Sequence, residues 1–232
     1  MSFQPYVPPE QLIKDRSEFA RKGIGRGKSV VVLECTEGLL FLAENPSSTL
    51  HKISEIYDRI AFAGVGKYSE FEDLRIAGVR LADLRGYSYG REDVTAKMLA
   101  NAYSQALANI FTTQMKPHEV EILVGSVGDS TAENELFHIL YDGSIADEHG
   151  YVAMGGQAEN LAEHLKEAFR EGMTLGEAVQ AAVTALSAVE ERELEVGNIE
   201  AAVLDRGRDR RKFRRLTDDE VSALLAPKPP GK

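Results

Sequence analysis

Residues Gly27–Lys67 read GKSVVVLECTEGLLFLAENPSSTLHKISEIYDRIAFAGVGK. Val30–Leu33 and Leu39–Ala43 are short apolar runs on either side of a turn-like spacer, Glu34–Gly38, and such a pair predicts a β-hairpin. A polar loop follows, then the phrase Lys52–Arg59 (KISEIYDR), then a further apolar strand over Ile60–Val65 that ends among the small residues Gly64 and Gly66. An arm precedes the hairpin. Pro8 and Pro9 suit the start of a helix, and Leu12, Ile13, Arg16, Phe19 and Ala20 follow at helical spacing. Gly23, Gly25 and Gly27 are expected to stop that helix.

Downstream, Tyr68–Arg85 has helical period. A second helix is predicted from about Glu92 to Met115, with Asp93 near its start and Leu99, Tyr103, Leu107, Ile110 and Phe111 on one face. Three strands follow over Val120–Val127, Leu136–Tyr141 and Tyr151–Met154, with a turn at Asp142-Gly143-Ser144. Gly155-Gly156 opens a helix that aligns Leu161, Leu165 and Phe169. Thr174-Leu175-Gly176-Glu177 has the form of a capping box, ahead of a stripe of Val179, Ala182, Val183, Leu186 and Val189. Glu190–Glu195 reads as an acidic surface connection. Ile199–Leu204 and Phe213 mark the last strands, and Thr217-Asp218-Asp219-Glu220 is a second capping box before a short helix and a flexible tail over 226–232. Helices and strands come in blocks. That order predicts an α+β fold in which sheets pack on each other with helices outside, and argues against a doubly wound sheet.

The composition shows no break along 232 residues, so a single domain over 1–232 is expected, long enough to bury a core without a disulfide or metal staple. Cys35 is the only cysteine, which suits a reducing compartment. The N-terminus lacks the pattern of a signal peptide, and no apolar run approaches the ~20 residues that span a bilayer. A cytoplasmic protein with no membrane contact is the expectation. The net charge of −10 argues against general nucleic-acid binding. Arg206–Arg215 (RGRDRRKFRR) nevertheless gathers seven cations in ten residues, and reads as a turn between two strands with a cationic face that acidic residues can pair.

Several motifs fail on inspection. Gly23–Ser29 (GIGRGKS) has three residues between its first glycine and Gly27-Lys28-Ser29, one fewer than a phosphate-binding loop, and it leads from a helix into a strand rather than the reverse. His51, His118, His138, His149 and His164 show no metal-ligand spacing, and no nucleophile elbow is present. Gly125-Ser126-Val127-Gly128 is a near miss, read as a place of close backbone approach. No metal or cofactor is expected.

Six phrases in order carry a resemblance that covers nearly the whole chain. They are Gly38–Asn45 (GLLFLAEN), Lys52–Arg59 (KISEIYDR), Gly64–Lys67 (GVGK), Gly86–Tyr89 (GYSY) with Asp93, Tyr141–Asp147 (YDGSIAD), and Met154-Gly155-Gly156. Together they resemble proteasome core-particle α-subunits, and the short loop Asn45–Leu50 points to the actinobacterial type. The resemblance implies a four-layer αββα sandwich, the N-terminal-nucleophile hydrolase-like fold. It implies a seven-membered ring of identical copies, stacked on rings of proteolytic β-subunits. The arm Met1, Ser2, Phe3, Gln4, Pro5, Tyr6, Val7 and Pro8 would form a mobile gate over about 1–9, and the helix behind it would pack ring neighbours. Lys52 matches the family's pocket lysine, which attracts the C-terminal carboxylate of an activator, typically a hexameric ATPase; Gly66 and Lys67 line that pocket, with Glu18 helping to orient the arm. The Tyr-Asp-Arg gate motif of archaeal and eukaryotic relatives is missing, and Asp15-Arg16 sits inside the helix.

Against the family's catalytic subunits, the nucleophile position falls at Lys28. A lysine does not attack as a hydroxyl, and Ser29 gains a free amine only after cleavage of the Lys28-Ser29 bond. No catalytic residue is therefore expected. Two other readings remain at this point: a hydrolase acting through a processed Ser29, and a binding module centred on Arg206–Arg215.

Overall fold

A computed structural model describes residues 8–226; residues 1–7 of the expected gate, and 227–232 of the tail expected over 226–232, lie outside the described residues. The arm helix α1 (Pro9–Ile24) leads into the hairpin β1 (Val30–Cys35) and β2 (Gly38–Glu44). The next hairpin is β3 (Ile53–Tyr57) and β4 (Ile60–Gly66), followed by the helices α2 (Tyr68–Ser88) and α3 (Ala96–Thr113). Four strands come next: β5 (Val120–Ser126), β6 (Glu135–Ile139), β7 (Ile145–Glu148) and β8 (Tyr151–Met154). The chain ends with α4 (Ala158–Ala168), α5 (Leu175–Val189), β9 (Ile199–Asp205), β10 (Phe213–Arg215) and α6 (Asp218–Leu225).

The strands form two antiparallel five-stranded sheets, in the orders β10-β9-β2-β1-β8 and β3-β4-β5-β6-β7. Strands that are buried on both faces lose the apolar/polar alternation of a half-exposed sheet. In β1 and β2, Val30, Val32, Leu39, Phe41 and Ala43 face the layer between the sheets, while Val31, Leu33, Leu40 and Leu42 face α4 and α5. The other sheet buries Phe62, Ile122 and Val124 against Leu74 of α2 and Leu99, Tyr103 and Leu107 of α3. Helix, sheet, sheet, helix is the expected four-layer order. In the stretch read as a close backbone approach, Gly128 is the residue that meets backbone, where a Cβ would fall 2.7 Å from the Glu133 carbonyl; Gly125 lies in the middle layer against side chains, with a Cβ 2.9 Å from Phe41 Cζ.

Four local expectations need correction. The α1 helix passes through Gly23 to Ile24 and is capped at Gly25; a Cβ at Gly23 would strike the Glu119 side chain, so this glycine serves packing, not termination. The helix expected from Glu92 starts at Ala96, where Thr95 Oγ1 accepts from the Met98 N–H at 3.2 Å, and it ends at Thr113. The phrase Lys52–Arg59 holds an unpredicted strand, β3, whose bulge between Glu55 and Tyr57 disrupts its alternation. Strand β7 is exposed and half acidic at the sheet edge, so its composition carried no strand signal. Both capping boxes form as read, with reciprocal bonds between Thr174 and Glu177 and between Thr217 and Glu220.

Candidate functional site

Register brings four strand ends to one end of the sandwich. Val30 pairs with Ala43, Glu44 pairs with Ile199, and the Gly64 N–H donates to the carbonyl of Lys52 at 3.0 Å. The starts of β1, β3 and β9 and the finish of β2 therefore meet. Lys52 stands there half-buried, and its Nζ donates to the carbonyl oxygen of Lys28 at 2.6 Å. Burial draws the Lys52 ammonium down from 10.5 to about 8; Glu200 and Glu44 oppose that fall and Lys28 adds to it.

Lys28 is itself tied down. Its Nζ donates to Glu190 at 2.7 Å and lies 3.1 Å from Glu44. The bond to Glu190 is the main reason its pKa is raised. Glu44 is buried, which on its own would raise its carboxyl, but Arg192 and Lys28 outweigh burial and hold it below the usual value. The connection after α5 is thus not simply a solvated acidic surface: Glu190 and Arg192 close over the start of β1.

Glu200, buried at the start of β9, accepts four donors. These are the backbone N–H of Lys52 at 2.9 Å and of Ile53 at 3.1 Å, Asn45 Nδ2 at 2.7 Å and Arg215 NH1 at 2.7 Å. His51 Nδ1 lies 3.4 Å from the same carboxylate. Arg215 NH2 also donates to the Ile53 carbonyl at 2.6 Å, and Asn45 Nδ2 to that of Leu50 at 2.7 Å. Reading the sequence missed Glu44, Asn45, Glu190, Arg192, Glu200 and Arg215. A usable signal was present, since Glu44 and Glu200 are carboxylates set at the ends of otherwise apolar strands, and such groups require partners.

The expected pocket residues are only partly gathered. Gly66 lies on β4 near Lys52, at φ +104°, and a Cβ there would fall 1.9 Å from the Glu119 carbonyl oxygen, so glycine is required. Lys67 follows it and pairs with Glu70 at 3.3 Å. Glu18 is exposed on α1 and its charged partner is Lys14, at 3.9 Å, not Lys52. Of the expected gate, Pro8 alone is described; it is exposed, and its carbonyl accepts from the Leu12 N–H at 3.1 Å.

Ser29 is buried, and the carbonyl before it is held by Lys52. The basic run forms the β9–β10 hairpin, and its charges are largely spoken for. Arg211 pairs with Glu55, Arg214 with Glu220 and Asp205, Arg215 with Glu200, and Arg206 donates to Gly128, Thr36, Thr131 and Asn134. Among the described residues, no group of three His, Cys, Asp or Glu is placed to hold a metal ion, and no helix is long and apolar enough to cross a membrane.

What the site offers chemically is a half-buried ammonium among strand ends, backed by the buried carboxylates of Glu44 and Glu200. Comparison with known proteins agrees with the resemblance read from the sequence. A family model described as "Proteasome subunit" matches residues 24–204. Proteins named "Proteasome subunit alpha" from Xylanimonas cellulosilytica, Saccharopolyspora erythraea and Thermomonospora curvata are 60%, 58% and 56% identical to this chain. Their alignments cover 93%, 97% and 97% of this chain and 93%, 89% and 99% of the respective relatives. The two-sheet sandwich and these relatives together place the chain in the proteasome subunit family, among the α-subunits of the actinobacterial type.

Proposed function

We propose that this chain is a non-catalytic subunit that builds the outer rings of a proteasome core particle, gates access to its interior and docks an activator through Lys52. The observation that carries the reading is the bond from Lys52 Nζ to the Lys28 carbonyl. In an N-terminal-nucleophile enzyme the corresponding place needs a free amine and a nucleophilic side chain on one residue. Here the chain runs on through an ordered α1 helix, Lys28 is paired with two carboxylates, and Ser29 is buried. The same lysine is suited to receive a carboxylate from outside, a charge-assisted bond worth roughly 1.5–3 kcal/mol.

Ring formation is supported by α1, which leaves Leu12, Ile13 and Phe19 exposed at 47%, 55% and 44% while burying Ala20 and Ile24 against the sheets. An apolar helix face of that kind suits a head-to-tail contact with a second copy, and such contacts close into rings. In this reading seven copies form each ring, the rings stack on β-subunits, and a hexameric ATPase inserts its C-termini beside Lys52, Gly66 and Lys67. Weak single contacts then add through effective concentration. Met1–Pro8 form the gate, Glu18 helps orient the arm, the whole of 1–232 acts as one domain, and the particle works in the cytoplasm.

Co-expression with a β-subunit, followed by native and intact mass measurement, tests this. The expected result is a stacked-ring particle in which this chain keeps its arm. Loss of residues 1–28 together with peptide hydrolysis by the chain alone would overturn it.

A further inference from the structure

The Lys52 ammonium is held by one carbonyl, while the backbone N–H groups of Lys52 and Ile53 are both held by one side chain from another strand. We propose, resting on the docking reading above, that Glu200 is the positioning residue of the docking site: it clamps the loop that presents Lys52 and supplies the negative charge that keeps this lysine a cation.

The clamp is geometric. Glu200 accepts the N–H groups of both Lys52 and Ile53, and through Asn45 it also reaches the loop's other end. Arg215 completes the frame by bonding Glu200 and the Ile53 carbonyl together. Moving the Lys52–Ile53 backbone away from the start of β9 would break these bonds.

The electrostatic half follows from counting partners. The groups that act on Lys52 are Lys28 before β1, Glu44 at the end of β2 and Glu200 on β9. Glu44 is matched by two cations, Lys28 and Arg192, and Lys28 is matched again by Glu190 after α5. Glu200 is shared with one permanent cation, Arg215, and with His51 when that ring is protonated. Its field at Lys52 is the less cancelled of the two carboxylates, and it is the larger influence opposing the downward pull of burial.

Two readouts on the assembled particle test the proposal. The pH dependence of Lys52 acetylation, followed by mass spectrometry, gives the lysine's titration midpoint, expected near 8. Glu200→Gln, close in shape but uncharged, is expected to lower that midpoint by about one pH unit. Glu200→Asp keeps the charge and is expected to restore most of it. Asn45→Ala loosens the loop without changing charge and is expected to leave the midpoint in place, which separates the electrostatic role from a merely structural one. Binding of a short fluorescent peptide with a free C-terminal carboxylate, against the same peptide amidated, is the second readout. At pH 9, where a one-unit drop in the midpoint removes about nine-tenths of the remaining protonated lysine, Glu200→Gln is expected to weaken the free acid about ten-fold and leave the amide unchanged. A Glu200→Gln particle that titrates and binds like the parent overturns the proposal. Lys52→Ala serves as the control on the docking reading: if it binds the free acid like the parent, that reading fails, while the acetylation midpoint still decides the role of Glu200.

Discussion

Lys52 Nζ and the carbonyl oxygen of Lys28 are 2.6 Å apart, joining the loop before β3 to the residue that separates the arm helix from β1. The bond ties the lysine of the proposed docking site to the root of the arm.

Replacing Lys52 by alanine removes the cation without adding bulk. Activator-dependent proteolysis by the particle is expected to fall at least ten-fold, in line with the loss of one charge-assisted hydrogen bond at each site. The measurement is degradation of a folded substrate across activator concentrations. Unchanged half-maximal activation would remove Lys52 from the docking site.

The lowered Lys52 pKa fixes a pH dependence and its sign. A carboxylate binds the protonated form, so affinity for a free C-terminus should decline as pH rises through about 8. Binding raises the pKa of the lysine, so above that pH each event takes up a proton, detectable by calorimetry in buffers of different ionisation enthalpy. Stability runs the other way. Between about 8 and 10.5 the unfolded chain holds more protons at this residue than the folded chain, so its contribution to stability rises with pH over that window.

Deleting residues 2–8 tests the gate. The assembled particle is expected to hydrolyse small peptides several-fold faster, with the β active sites unaltered. Turnover equal to the parent would show that this arm does not limit access.

Phe41 sits fully buried between the sheets, facing Gly125. Phe41→Ala is expected to cost about 3–5 kcal/mol in urea unfolding of the isolated chain, the range for losing a large core aromatic. A cost near 1 kcal/mol would mean that the layer collapses readily around the gap.

The two capping boxes, the Val30–Ala43 hairpin and the block order of elements were all legible from the sequence, because each rests on residues close together in the chain. Strands β3 and β7 were not. Bulging disrupts the alternation of the first, and the second sits exposed at a sheet edge, so neither shows a period that a strand must show. Lys52, Gly66 and Lys67 were picked out by likeness to a family, and the structure puts them at adjacent strand ends; Glu18 was picked out the same way and pairs elsewhere.

The network behind Lys52 belongs to a different kind of information. Glu200 is 148 residues from Lys52 in the chain, and Glu190 is 162 from Lys28. By itself the sequence determined most of the elements, their block order and the family likeness. Only the tertiary structure decided which carboxylates stand near Lys52 and that burial draws its pKa down. The reason is that hydrophobic periodicity acts over a few residues, whereas the electrostatic state of a half-buried amine depends on groups that antiparallel pairing brings from distant parts of the chain.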